Sequence, residues 1–198
     1  MPRGVAITEP RQHLFAAAER VIATAGPSQL TSRAVTHEAG VATGLLFTHF
    51  ANVDDFLIGY AVDRSFQIAA AAAGLPERAG TAVVAANLGE AVLATPPITR
   101  LAVTRLFAAR PGLVAAVEAV LGTGTAALRP LERATVDYLA AERRHGRISS
   151  RADPEALALA VIGVLQHVAL TDGTDPAADD RIRRAITALI DSVQGVAS

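Results

Sequence analysis

The fold is decided by residues 30–50, which read LTSRAVTHEAGVATGLLFTHF. This stretch predicts two short helices, about Ser32–Ala39 and Thr43–His49, joined by a tight turn at Gly40. Thr31 is a suitable N-cap for the first helix, because its side-chain oxygen can accept a hydrogen bond from a free amide of the first turn. Two short helices arranged in this way form either a helix-turn-helix that binds DNA or a purely structural hairpin.

The two predicted helices each have a buried side and an exposed side. Val35, Ala39, Leu46 and Phe50 fall at helical spacing, so we expect them to face a shared core. The opposite side carries small polar side chains and one arginine, which suit a helix that enters the major groove. We predict that this exposed side consists of Ser32, Arg33, Thr43, Gly44, Phe47 and Thr48.

The composition favours an all-helical protein. Of the 198 residues, 51% are hydrophobic and only 4% are aromatic. Alanine and leucine are strong helix formers, whereas runs of β-branched and aromatic residues are typical of strands. We predict an all-α fold of about nine helices, with an N-terminal three-helix domain that contains the helix-turn-helix and a larger C-terminal helical bundle.

The charge of the chain places a condition on any binding to DNA. Its formal net charge is −1, so no overall positive field draws the chain to nucleic acid. Affinity for DNA must come from the local placement of basic residues, and all 18 of these are arginine. Residues 1–50 contain four arginines, three glutamates and three histidines, a slight basic excess that suits this role.

The sequence lacks the features that are typical of an enzyme or a membrane protein. It has no cysteine, which excludes a disulfide, a thiolate metal site and a cysteine nucleophile. The motifs of serine hydrolases, phosphate-binding loops and zinc proteases do not occur. The longest apolar run, residues 156–165, is too short to span a bilayer. We expect a cytoplasmic protein that is not an enzyme and has no membrane partner, metal or cofactor.

Four short motifs occur in a fixed order and spacing within residues 11–57. These are the Ala39-Gly40-Val41 turn, Gly44, the His49-Phe50 pair that closes the second short helix, and the acidic start of the next helix at Asp54-Asp55-Phe56-Leu57. In this order they resemble the DNA-binding domain of the TetR family of bacterial transcriptional regulators. The resemblance implies a repressor that binds a palindromic operator as a homodimer and responds to a small-molecule effector by moving its fourth helix.

Three residues of this segment depart from the family pattern. Phe47 replaces the usual tyrosine, so a hydroxyl that would reach a phosphate is absent. Leu45 replaces a common threonine, and it could touch a thymine methyl but cannot hydrogen-bond. Val53 replaces a common lysine at a helix start that we expect to face solvent. We therefore expect a weakened grip on the DNA phosphates.

The exposed residues divide by the part of the DNA that we expect them to touch. We assign base readout to Arg33 and Thr43, because both can hydrogen-bond to base edges in the groove. We assign the DNA backbone to Ser32, Thr48 and His49. The predicted DNA-binding surface is therefore Ser32, Arg33, Thr43, Gly44, Leu45, Phe47, Thr48 and His49.

The rest of the chain reads as one helix after another. The fourth helix follows the N-cap Asn52 and runs to about Ala73, long enough to act as a lever between two regions. The last two helices begin at Asp153-Pro154 and Asp175-Pro176, where aspartate is the cap and proline the first helical residue. We predict a helix-turn-helix domain over residues 1–50 and an effector-binding and dimerisation domain over residues 51–198.

The last two helices carry broad apolar faces. In the TetR family these helices pair with their symmetry mates, so we expect residues 154–194 to form a homodimer interface. The alternative is that both faces are buried inside the monomer. The faces consist of Leu157, Val161, Val164, Leu165 and Val168 on one helix, and Ile182, Ile186, Leu189, Ile190 and Val193 on the other.

A set of polar residues embedded in mostly apolar helices is the candidate effector site. Such groups can orient a small apolar or amphipathic molecule inside an apolar pocket. The alanine-rich helices leave space for one unless they approach closely. The alternatives are quiet hydrogen bonding in the core, a contact of Gln166 and His167 across a dimer axis, and, for the other residues, a solvated or paired place on the surface. The candidate residues are Asn87, Glu90, Arg105, Tyr138, Gln166 and His167.

The sequence thus predicts a ligand-responsive transcriptional repressor that binds double-stranded DNA as a homodimer. A helical ligand-binding or interaction protein that has lost specific DNA recognition is the alternative.

Overall fold

The computed structural model describes residues 9–194, and this range contains ten α-helices and no strand. The predicted all-α fold class is confirmed, with ten helices where we expected about nine. The helices are α1 (Pro10–Ala25), α2 (Ser32–Glu38), α3 (Gly44–His49), α4 (Val53–Ala72), α5 (Val84–Leu93), α6 (Pro97–Ala109), α7 (Leu113–Leu121), α8 (Arg129–Arg144), α9 (Pro154–Asp172) and α10 (Ala177–Asp191).

Local hydrogen bonds and one glycine set the ends of the helix-turn-helix. The Thr31 hydroxyl oxygen accepts a hydrogen bond from the Ala34 amide at 3.1 Å and so starts α2. Gly40 takes a left-handed conformation, φ 66°, that turns the chain from α2 toward α3. Asn52 caps α4, where its Oδ1 accepts from the Asp55 amide at 2.8 Å. All three signals are readable from the sequence.

Two hydrophobic clusters hold the described residues together. The bundle cluster joins apolar side chains of α4, α5, α6, α8, α9 and α10. The head cluster joins apolar side chains of α1, α2 and α3 to those of the first half of α4, and it also includes side chains of α6 and α7. Its members outside the helix-turn-helix include Phe56, Leu57, Tyr60, Leu106 and Val117. The predicted domain boundary after residue 50 coincides with the end of the helix-turn-helix. The hydrophobic cluster that supports the helix-turn-helix extends past this boundary into the first half of α4.

The apolar faces that we assigned to a dimer interface are used inside the monomer. Six of their ten residues are buried in the bundle cluster, and the other four pack against it partly buried. For the six buried residues the alternative weighed from the sequence holds, because an apolar stripe does not specify its partner. A homodimer interface within residues 154–194 stays a prediction. The buried six are Val161, Leu165, Val168, Ile182, Ile186 and Ile190.

A different face of α9 stays exposed. Leu159 and Leu170 are 63% and 48% exposed, and Gly163, Gln166 and His167 lie exposed between them. The whole helix Pro154–Asp172 is long and apolar enough to cross a membrane, unlike the shorter run that we considered from the sequence. It nevertheless packs against α6, α8 and α10 as one helix of the bundle.

A buried ion pair joins α1 to α4. The Nε of Arg64 donates to Oε1 of Glu19 at 2.7 Å, and both side chains are less than a tenth exposed. Burial lowers the pKa of Arg64, but the charge and hydrogen bond of Glu19 raise it by more. Burial also raises the pKa of Tyr60, whose hydroxyl donates to Glu19 at 3.4 Å. The guanidinium therefore stays charged beside a neutral phenol.

Removing this ion pair should destabilise the protein far more than removing an exposed one. We predict that Glu19→Ala lowers the free energy of unfolding by about 3 kcal/mol, because it leaves Arg64 buried with Asp63 as its remaining acidic partner. The matched control is Glu38→Ala, which removes an exposed pair with Arg20 and should cost less than about 1 kcal/mol. Chemical denaturation measures both, and equal losses would contradict the assignment.

Candidate nucleic-acid interface

Buried side chains hold the two short helices of the helix-turn-helix in place. Val35, Leu46 and Phe50 are at most 3% exposed, and Ala39 is 9% exposed, as the spacing predicts. The Nε2 of His13 lies 2.8 Å from the Ala39 carbonyl oxygen and ties α1 to the end of α2. The two short helices are thus held against α1, and α3 is held in place by side chains rather than by its own length.

The side of the motif opposite to this core is open to solvent. Arg33, Thr43, Gly44, Phe47 and Thr48 are exposed, and Phe47 retains 48% of its accessible surface. The other three predicted DNA-contacting residues are half-buried. These are Ser32, Leu45 and His49.

Threonine hydroxyls shape this surface. The hydroxyl of Thr48 donates to the Gly44 carbonyl at 3.0 Å. Unless this hydroxyl rotates away from the carbonyl, it can only accept a hydrogen bond from a group outside the helix. Thr36 is buried, donates to the Ser32 carbonyl at 2.8 Å and lies 3.4 Å from the Thr43 hydroxyl. Sequence reasoning missed Thr36. Thr36 and Thr43 lie on opposite sides of the turn at Gly40, seven residues apart. This pair of threonines is the sequence signal that could have identified Thr36.

Arg33 is the exposed arginine of this surface. It has no ion-pair partner among residues 9–194, whereas Arg20 is paired with Glu38 at 2.5 Å. An unpaired arginine on an exposed helix is free to hydrogen-bond to a base or a phosphate. Val53 differs from our expectation, because it is half-buried against the head cluster and does not stand free in solvent.

Comparison with known proteins agrees with this geometry. Residues 14–58 match the family model of bacterial regulatory proteins of the tetR family. Residues 14–58 therefore form a DNA-binding domain of the TetR type. The resemblance stated from the sequence is therefore confirmed for this segment, which contains the whole helix-turn-helix.

Solved structures of transcriptional regulators share the fold over nearly the whole chain. The ketosteroid transcriptional regulator KstR2 of Mycobacterium tuberculosis has a TM-score of 0.71 at 15% identity, covering 96% of this chain and 97% of its own. A transcriptional regulator from Rhodococcus sp. Rha1 has a TM-score of 0.65 at 20% identity, covering 96% and 100%. The fatty acid degradation regulator FadR from Bacillus halodurans has a TM-score of 0.64 at 15% identity, covering 94% and 97%. No curated protein matches in sequence.

The six candidate effector residues do not share one pocket. Asn87 and Tyr138 are buried together, and the Asn87 amide donates to the Tyr138 hydroxyl at 3.1 Å. Burial raises the pKa of Tyr138, so this phenol stays neutral. Glu90 pairs with Arg78 on the surface. The remaining three lie elsewhere.

Arg105 has a structural role at the end of α1. Its Nη1 donates to the Ala23 carbonyl at 2.7 Å, one of the carbonyl groups left free at the helix end. It also lies 3.3 Å from the Ile22 carbonyl, which accepts the Gly26 amide at 3.1 Å as well. Gln166 and His167 lie on the exposed face of α9. The pattern of polar residues in apolar helices therefore identified capping and core groups along with surface ones.

One of the six, Gln166, lines a cavity of about 350 Å³ between α6, α9 and the segment before α8. Thr104 lines the same cavity and is 8% exposed. Its hydroxyl has no hydrogen-bond partner within residues 9–194. A buried hydroxyl without a partner is costly, so a ligand that supplies one would gain from it. Sequence reasoning missed Thr104. The apolar walls are Val103, Phe107, Ala108, Ala127, Leu128 and Leu170.

The assignment of Arg33 to base readout can be tested on an operator selected from random DNA duplexes. We predict that Arg33→Ala costs about 1–3 kcal/mol in operator binding and relaxes the preference at one base position. Arg144→Ala, at an exposed arginine on α8, is the matched control and should change neither quantity. Binding is measured at fixed salt, because phosphate contacts make affinity depend on it. An unchanged base preference in Arg33→Ala would refute the assignment.

Proposed function

We propose that this protein is a homodimeric, ligand-responsive transcriptional repressor that binds a palindromic operator in the cytoplasm. The observation that carries the proposal is the open side of α2 and α3, where Arg33 and Thr43 stand exposed on a helix-turn-helix that belongs to the TetR family. One such motif reads a single half-site. A palindrome read by two motifs, one helical turn of about 34–36 Å apart, provides the specificity that a single short helix cannot.

The exposed face of α9 supports dimerisation. Within the most apolar 18 residues of this helix, only 39% are buried inside the monomer. Leu159 and Leu170 are among those left exposed. Gly163 lies between these leucines and lets a second helix approach closely, because it has no side chain. We propose that two copies pack across this face with a two-fold axis, which gives each copy the same contacts.

A charge placed on this face should separate the copies. We predict that Leu159→Arg converts the dimer to a monomer in sedimentation and lowers operator affinity by more than about tenfold, since each half-site is then bound alone. Val83→Arg is the control, because Val83 is 60% exposed on α5's N-terminal side and lies outside α9. A wild-type protein that sediments as a monomer at micromolar concentration would exclude the dimer.

The effector that we propose is small, neutral and mostly apolar, with one hydrogen-bonding group. The cavity between α6 and α9 suits it, because apolar walls surround the unpaired Thr104 hydroxyl. Two of the structurally similar regulators are named for ketosteroids and for fatty acid degradation. Ketosteroids and fatty acids both have large apolar bodies with few polar groups, and the neutral ketosteroids match the uncharged Thr104 hydroxyl better. The likeness of fold supports this class of ligand for this chain.

Thr104→Val keeps the shape of the side chain and removes the hydroxyl. We predict that neutral ketones raise the melting temperature of the wild type more than hydrocarbons of the same skeleton, and that Thr104→Val abolishes this difference. The unliganded variant should be at least as stable as the wild type, because a buried unpaired hydroxyl is gone. A ketone preference that survives in Thr104→Val would place the effector elsewhere.

A further inference from the structure

A second concave site lies beside the helix-turn-helix, at the junction of α1, α4 and α7. It is an open groove of about 740 Å³ between α1, α4 and α7, and we call it the junction groove. It is separate from the cavity between α6 and α9, with which it shares no lining residue. Its apolar walls are Phe15, Ile58, Val62, Phe66, Val120 and Leu121.

Two large apolar side chains stand open in this groove. Phe66 on α4 is 62% exposed and Val120 on α7 is 63% exposed, although each belongs to a helix that packs into a core. A single exposed apolar residue needs no explanation, but two that line one groove form a patch that a ligand could cover. Phe66 also offers a ring face, which attracts an organic cation as well as an apolar surface.

The charged groups of the junction groove favour a positive ligand. Three carboxylates line it, those of Glu9, Asp55 and Asp63, against the guanidinium of Arg11 and the imidazole of His49. Arg11 is held against the wall of the groove, since its guanidinium carbon lies 4.6 Å from the centre of the Phe50 ring. Arg64 does not line the groove, but its guanidinium forms ion pairs with both Asp63 and the buried Glu19. The groove therefore presents an acidic edge to a ligand.

We propose that the junction groove is a binding site for an amphipathic organic cation. The apolar body of the ligand covers Phe66 and Val120, and its positive charge lies beside the carboxylates. Such a ligand would touch α1 and α7 together, because both helices line the groove.

The floor of the groove connects this site to the joint between α1 and α4. The Gln12 amide donates to Asp63 at 2.6 Å, and Asp63 in turn accepts from Arg64, the partner of buried Glu19. A cation at Asp63 would therefore act on the outermost member of the network that fixes the head to α4.

Two ions of the same shape and opposite charge test the proposal. Tetraphenylphosphonium and tetraphenylborate are titrated into the full chain by calorimetry without DNA. We expect the cation to bind at least about tenfold more tightly, because the groove carries three carboxylates against one arginine and one histidine. Phe66→Ala should weaken cation binding by about tenfold, since it removes a contacting aromatic ring. Val120→Ala should weaken it by a smaller factor.

The control is Val83→Ala, which makes the same substitution as Val120→Ala at an equally exposed valine outside the groove. It should leave the Kd of the cation unchanged. Asp63→Asn should weaken the cation while leaving the borate anion no weaker. Equal affinity for the two ions, an unchanged Kd in Phe66→Ala, or the same loss in Val83→Ala would overturn the proposal. The site is measured without operator, so failure here is distinct from failure of the regulatory function.

Discussion

The ion pair between Arg64 and Glu19 fixes the relation of the head to the rest of the protein. It lies under a cluster of four aromatic rings, Phe15, Phe50, Phe56 and Tyr60, whose neighbouring centroids are 5.1–5.8 Å apart. A buried ion pair tolerates little displacement, because separating it leaves a charge without a partner in an apolar surrounding. The first half of α4 must therefore move together with α1, and a change in α4 reaches the DNA-binding surface as a rigid displacement.

The elements nearest to the DNA could be predicted from the sequence because their signals are local. Thr31, Gly40 and Asn52 each act within three residues of the place where they stand, through a hydrogen bond or a single backbone conformation. The observed bounds of α2, α3 and α4 consequently lie within one residue of the predicted ones. The exposed side of the motif follows from the same spacing, since two short helices packed on one core have only one side left.

The rest could not be predicted, because it depends on contacts between distant segments. Asn87 and Tyr138 are 51 residues apart in sequence and form one hydrogen bond in the core. The apolar faces of α9 and α10 show that their residues are buried, but periodicity does not distinguish a neighbouring helix of the same chain from one of a partner. Thr104 resembles any helical threonine in the sequence, and only the tertiary structure shows that its hydroxyl lacks a partner within residues 9–194.

Helix α6 offers a direct path from the proposed effector cavity to the head. Thr104 lines the cavity, and the next residue, Arg105, donates two hydrogen bonds to the final carbonyl groups of α1. A ligand that shifted or rotated α6 would therefore change the contact that holds the end of α1, while the ion pair passes that change to α4. A ligand can alter operator affinity only to the extent that it binds the two arrangements differently. An effector that filled the cavity without moving α6 would stabilise the fold and leave DNA binding unchanged.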